Sequence, residues 1–511
     1  MLGRSKLELA YMRLFIPILR YPFLLDISLL AIYFAVNKQQ GWQSARSWPA
    51  VAIYILMVAE SAFYIFIFRP AHRRLQAEAR HPPPTSRADR RRLVQTCLEN
   101  IPDPERYLRV WFLEKDLKCI ARGDVKRFLV WAFFDLDLDR SDVDDQVEEE
   151  LDEYMQDVES LLGWRFPNGN TGAECLRLTI DAIEIKYRSF LWYLIVFAVI
   201  DLSTCVSMWI HGFGHRTTKD KLRSILVDVF PPRPYLLLSL PSTTASVELG
   251  YWARPHTVGP TVLPVLFLHG IGVGMWAYTK FFSSFPPEIG IIAPEFLNIS
   301  ARITGPEPLT KDALVATVKA ILDQEGWGDF IVVTHSYGSV LATHVLNSCL
   351  GARVKGITLI DPVSLCLHLP DVAFNFTRRL PQSANEWQLW YFASTDLGVA
   401  HTLGRHFFWR ENIAWKEGLV ALGEQGESSG REVAVFLAEK DLIVDTPRVA
   451  QYVLGDKVPF DKLTQDNQWT QDGIDVFWCP GLDHGQVFDR VEDRMKVLGA
   501  VLKQARYHLY S

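Results

Sequence analysis

The stretch Phe330-Ile-Val-Val-Thr-His-Ser-Tyr-Gly-Ser339 joins two kinds of sequence. Phe330 to His335 is short, apolar and β-branched, the composition of a buried strand. From Tyr337 to Leu350 the pattern turns helical. Ser336 therefore stands on the turn between strand and helix. Such a turn is sharp and strained, and it holds a hydroxyl out at the carboxyl edge of a sheet. Small residues flank a serine placed this way because the turn brings backbones together. Gly338 meets that need; Thr334 departs from it.

Three other stretches extend the pattern. Val265-Leu-Phe-Leu-His-Gly-Ile-Gly272 reads as a buried strand running into a glycine-rich loop. Val433-Ala-Val-Phe-Leu-Ala-Glu-Lys-Asp441 reads as a strand ending in a carboxylate. Asp475-Val-Phe-Trp-Cys-Pro-Gly-Leu-Asp-His484 is a strand, a turn and a histidine. Ser, then Asp, then His, each just past a strand end, resembles the α/β-hydrolase superfamily over residues 236–511. The superfamily's usual Gly-x-Ser-x-Gly has Thr334 in its first glycine's place.

The resemblance implies a mainly parallel, doubly wound α/β sheet. The sequence agrees. Tyr235–Leu240 and Val247–Ala253 read as an opening antiparallel pair, and six further strands follow at 265–269, 289–293, 330–335, 354–360, 433–438 and 474–478. The helical patterns between them are clearest at 309–325, 337–350, 446–454 and 487–505. Alternation lapses over 364–430, too long for a plain loop, so a cap is expected there. Its Trp387, Trp390, Phe407, Phe408, Trp409 and Trp415 suit an apolar roof.

The resemblance also implies roles. Ser336 is the nucleophile, His484 the base and Asp441 the acid, with Asp361 and Asp445 as alternative acids. The oxyanion donors are the backbone N–H of Tyr337 and one from the glycine-rich loop, Ile271 or Gly272. Asp483, beside His484, points elsewhere. His269 and His335 orient backbone rather than move protons. Gly270-x-Gly272-x-Gly274 mimics a dinucleotide loop, but Met275 stands where its third glycine belongs. No cofactor and no metal are expected.

With 511 residues the chain exceeds one compact core. Apolar residues make up 49% and charged residues 22%, oily for a soluble protein. A net charge of −6, with no basic stripe in the hydrolase half, excludes nucleic acid as a partner. Seven scattered cysteines without a CxxC indicate neither zinc nor a disulfide scaffold.

The N-terminal half adds a membrane and a helical unit. Residues 1–75 read as a transmembrane hairpin with spans at about 14–36 and 49–68, since about twenty apolar residues cover roughly 30 Å. An arginine-rich flank from Arg69 to Arg92 follows and reads as cytoplasmic. Residues 76–188 are charged and helical. Asp135-Leu-Asp-Leu-Asp139 mimics the start of a calcium loop, yet Arg140 and Gln146 stand where glycine and glutamate belong. Residues 189–211 form a third transmembrane or membrane-embedded segment, with Asp201 near its middle costing about 3 kcal/mol. Crossing there puts the hydrolase domain opposite the N-terminus. The sequons Asn298-Ile-Ser300 and Asn375-Phe-Thr377 suit a lumenal site. Residues 212–235 are a linker.

The expected protein is thus a multi-pass membrane serine hydrolase, esterase- or lipase-like, with a lipid or other apolar acyl ester as substrate. Acyl transfer on the same triad is one alternative. The other is a non-catalytic binding protein that uses its helical region as a contact surface.

Overall fold

The computed structural model describes residues 3–38, 47–138, 144–217, 229–241, 248–420, 430–455 and 468–507. Lys6–Arg20 (α1) and Pro22–Val36 (α2) meet at a 90° bend, so the span expected over 14–36 is broken. Pro22 is the physical reason. It lacks an N–H, its ring clashes with the preceding turn, and it disfavours helical geometry at the residue before it. Tyr21 accordingly sits at φ -129° and ψ 54°. The buried side chains of α1, Met12, Ile16 and Leu19, belong to a cluster with Tyr391 and Leu397 of the expected cap. Trp48–Leu75 (α3) is continuous over 28 residues and contains the expected 49–68 span.

Arg87–Glu99 (α4), Pro104–Trp111 (α5), Arg122–Phe134 (α6) and Asp145–Leu162 (α7) form the charged helical unit. Its core includes Trp111, Phe128, Trp131, Leu151 and Tyr154. Part of the arginine flank is paired: Arg90 turns inward to Glu150 at 2.6 Å, while nearer the surface Arg87 meets Glu153 at 2.8 Å and Arg91 meets Asp157. These three arginines stitch α4 to α7. The calcium-like acids are spent similarly, Asp135 on Arg410 and Asp137 on Arg177, while Asp139 and Arg140 lie outside the described residues.

Phe190–Ile210 (α8), like α3, is long and apolar enough to cross a membrane. Yet it is packed on protein at both ends. Trp192, Tyr193 and Val196 join the cluster around Tyr391, and Cys205 and Met208 join one face of the sheet. Its mid-length carboxylate, Asp201, meets Arg302 in a bidentate pair at 2.7 and 2.9 Å. A buried charge needs such a partner, and this partner lies beyond the first strands of the hydrolase half.

The strands are Gly214–Thr217 (β1), Leu240–Pro241 (β2), Tyr251–Arg254 (β3), Val265–Leu268 (β4), Ile291–Pro294 (β5), Phe330–His335 (β6), Val354–Ile360 (β7), Glu432–Ala438 (β8), Gln468–Gln471 (β9) and Ile474–Cys479 (β10). They form one sheet in the order β2-β1-β3-β5-β4-β6-β7-β8-β10-β9, parallel from β5 to β10. Alternate residues face two cores, Leu266, Val332 and Val435 on one side, Phe267, Val333 and Phe436 on the other, as a sheet covered on both faces requires. Lys311–Gln324 (α9), Gly338–Leu346 (α10), Thr446–Leu454 and Val491–Gln504 match the expected helices.

The opening of the sheet differs from expectation. Pro234–Leu238 is a 3₁₀ turn, and β3 pairs antiparallel with β5 on one side and on the other with β1, inside the segment read as linker. The buried carboxylate of Glu295 explains the recruitment. It accepts hydrogen bonds from His215 (3.1 Å), Arg233 (3.0 Å), Tyr235 (2.8 Å) and Trp252 (3.0 Å). Residues spaced over that whole region converge on one acid, which no local periodicity announces.

The cap between β7 and β8 is helical: Asp371–Thr377 (α11), Ala384–Leu389 (α12) and Leu397–Arg405 (α13), followed by two short turns.

Candidate active site

β6 delivers Ser336 in the left-handed region, at φ 53°. That conformation costs a non-glycine residue roughly 1–3 kcal/mol. The serine is held there by its own N–H, donated to Ile360 at 2.9 Å. Gly338 is obligatory: a Cβ on it would stand 2.0 Å from the Leu268 carbonyl oxygen. Thr334 is tolerated because it is still strand, paired with Leu268 and Leu359.

Asp441 follows β8. Its Oδ1 accepts the N–H groups of Ile443 and Val444 at 2.7 and 2.8 Å, and its Oδ2 meets His484 Nδ1 at 2.6 Å. Both side chains are buried. With Nδ1 engaged, Nε2 is the ring atom left to exchange a proton; it has no hydrogen-bond partner among the described residues.

Asp361, at the end of β7, lies against the same pair. The ligating atoms of Asp361, Asp441 and His484 are within 4.8 Å of one another. Asp361 is turned to the backbone, accepting from Ala438 at 2.9 Å and Gly485 at 2.7 Å. Both oxygens of each carboxylate are thus occupied by N–H donors, a set already satisfied without a cation. Burial, then the charge of Asp441, push the Asp361 carboxyl up to about 7. Burial works against the His484 imidazolium, but the charge and hydrogen bond of Asp441 outweigh it and raise the ring to about 9. Asp445 caps the Thr446 helix through Arg448 N–H, at 3.2 Å. Asp483 holds the backbone of Leu442 and His484.

Of the two loop N–H groups, that of Gly272 is already donated to Ile299 at 3.0 Å, because the loop folds over the Leu297–Ile299 turn. Ile271 instead lines a cavity together with Ser336 and Tyr337. The two tempting histidines brace this loop. His269 bonds the Gly270 carbonyl (2.8 Å) and accepts Phe296 N–H (3.0 Å). His335 meets the Tyr278 hydroxyl at 2.8 Å, and that hydroxyl accepts Gly270 N–H at 3.1 Å. Tyr278 carried no signal in the sequence, lying in a stretch with no motif.

The cavity at Ser336 holds about 50 Å³ and is almost wholly apolar. The cap gives Phe376, Phe407 and Trp409, as a roof should. Four of the six expected roof aromatics go elsewhere. Trp387 and Trp390 pack on each other beside the α1 and α8 cluster, Phe408 lies against His81, and Trp415 against His368. In their place Trp111, Trp131 and Leu178 arrive from the N-terminal helical unit. Both sequon asparagines are engaged, Asn298 with Thr402 and Asn375 with the Ile443 carbonyl.

A parallel sheet with a serine on its central strand-to-helix turn, and a cap over it, defines a domain of the α/β-hydrolase class. Residues 265–496 match the family described as the alpha/beta hydrolase family, and the chain carries an α/β-hydrolase domain. Over 76 residues it is 40% identical to a lipase, LipV, of Mycobacterium tuberculosis, a match covering 15% of this chain and 28% of the lipase. Among solved structures it is similar to a membrane phospholipase A described as a bacterial virulence factor (TM-score 0.38, 12% identity, 62% of this chain and 94% of that one). A thermophilic esterase from Thermogutta terrifontis is also similar (TM-score 0.35, 14% identity, 52% and 97%).

Proposed function

We propose that this protein is a membrane-attached serine hydrolase that cleaves carboxylic esters with an apolar acyl group. The observation that carries the reading is a buried 2.6 Å His484–Asp441 bond together with a serine, on the turn after β6, that opens into an apolar cavity. Ser336 Oγ attacks the ester carbonyl while His484 Nε2 takes its proton. Asp441 holds the ring's tautomer and stabilises the imidazolium. The N–H groups of Tyr337 and Ile271 receive the oxyanion. His484 then protonates the departing alcohol, and water releases the acyl group by the same steps. A fluorophosphonate should modify the wild-type protein on the tryptic peptide containing Ser336. Modification elsewhere, or none, refutes the reading.

The pH profile follows from the two carboxylates. The base form of His484 emerges on the alkaline side, so kcat/KM should climb between about pH 7 and 9. Asp361→Asn removes one negative charge that favours the imidazolium. Its ascending limb should therefore move to lower pH; a limb that stays put would show that Asp361 does not act on His484.

Membrane attachment rests on exposed apolar surface. Leu24, Ile32 and Val36 of α2, Trp48, Ile55 and Val58 of α3, and Val199, Val206 and Ile210 of α8 all face outward. Helix α2 is 15 residues long. At that length it reaches about 22 Å, short of a hydrocarbon core of roughly 30 Å. From Glu60 onward α3 is bound to the Tyr187–Phe190 segment, with Glu60 accepting Phe190 N–H at 3.0 Å. These features favour a hairpin sunk into one face of the bilayer, with α8 lying along that face. In sealed vesicles, tags at the N- and C-termini should then be digested or protected together. Protection of one alone would show that an odd number of segments crosses, α3 and α8 being the two long enough to do so.

A further inference from the structure

The far wall of the Ser336 cavity is not made by the hydrolase domain. Trp111 ends α5, Trp131 lies in α6, and Leu178 follows the helical unit. Their position is held by tethers between that unit and the cap. Trp409 Nε1 donates to the Ala132 carbonyl at 2.9 Å, and Arg410 donates to the Phe133 carbonyl at 2.7 Å while pairing with Asp135. Arg106 of α5 pairs with Asp371 of α11, and His368 meets the Asn100 carbonyl at 3.0 Å. Trp131 is fixed in turn by its Nε1, donated to Thr179 at 3.0 Å.

Behind that wall lies a second apolar cavity, about 30 Å³, inside the helical unit and lined by Leu108, Phe128, Phe133 and Tyr154 among others. Aromatic rings divide the two. Trp111 packs on Phe128 at 5.2 Å between centroids, and Trp409 meets Phe133 edge-on at 5.7 Å.

We infer that the N-terminal helical unit sets acyl-chain length, with Trp111 and Trp131 as the stop against which the chain ends. The inference rests on Ser336 being the residue acylated. Room for each water-sized group needs roughly 10 to roughly 15 Å³ by the same measure. At about 50 Å³ the cavity has room for only a few such groups between Ser336 and that wall. A chain longer than the cavity meets two indoles held by hydrogen-bonded backbone. Removing Trp111 extends the cavity towards Phe128, which lines the second one.

The test uses the full chain in detergent with p-nitrophenyl acetate, butyrate, hexanoate and laurate. Trp111→Ala should raise the laurate-to-butyrate ratio of kcat/KM about tenfold or more, the scale of a methylene gained or lost in an apolar pocket. Ala373→Leu, which narrows the cavity from the cap side, should lower the hexanoate-to-acetate ratio. It decides the matter if Trp111→Ala fails to melt cooperatively. Ratios unmoved in folded variants overturn the inference. Hydrolysis that persists in Ser336→Ala is a separate result, and it would sink the nucleophile assignment itself.

Discussion

Ser336→Ala should lower ester hydrolysis on the order of 10⁴- to 10⁶-fold and abolish fluorophosphonate labelling, with the fold intact. The size follows from the mechanism. Without Oγ there is no acyl-enzyme, and water must attack an ester held only by the oxyanion donors and the apolar cavity. The fold is expected to survive because the change takes away one hydroxyl, for which the structure shows no hydrogen bond among the described residues. It also leaves the strained φ of 53° and the Ser336 N–H bond to Ile360 in place. A thermal melt matching the wild type, alongside lost turnover, is the result to look for. Undiminished turnover would end the triad reading.

Asp441→Asn should cost about 10⁴-fold in kcat. An asparagine can keep its oxygen on the N–H groups of Ile443 and Val444, where Oδ1 now sits. Its amide nitrogen then faces His484 Nδ1, at present 2.6 Å from a carboxylate oxygen. Two donors cannot share that bond, so the ring proton moves to Nε2, the atom that must accept one from Ser336. Asp361→Asn should cost far less in rate, because both its oxygens accept backbone N–H groups and neither bonds the ring. Losing one acceptor there leaves a buried N–H unpaired, a stability cost of roughly 1–3 kcal/mol. Steady-state kinetics with both variants separates the two acids. The reverse order of losses would assign the ring to Asp361.

What is local was legible along the chain. Strand composition, turn chemistry and helical spacing marked β4 to β8 and β10, the helices between them, and the position of Ser336, Asp441 and His484 at strand ends. It also marked the 364–430 interruption as a cap. Each of these is legible because burial in a two-faced sheet imposes a short-range pattern on neighbouring residues. The tertiary structure decided what depends on distant partners. Asp361 and Asp441 both end strands beside His484, and only side-chain geometry shows which oxygen meets the ring. β1 was hidden in a basic segment because its place is fixed by Glu295, well along the chain. A carboxylate midway along α8 read as a cost until Arg302 supplied its partner. The cavity wall drew Trp111 and Trp131 from a region with no hydrolase counterpart, while Trp387 and Trp390 turned to the cluster around α1 and α8. An aromatic residue announces that it will be buried. Against what, only the packing of remote elements determines, and no spacing along the chain encodes it.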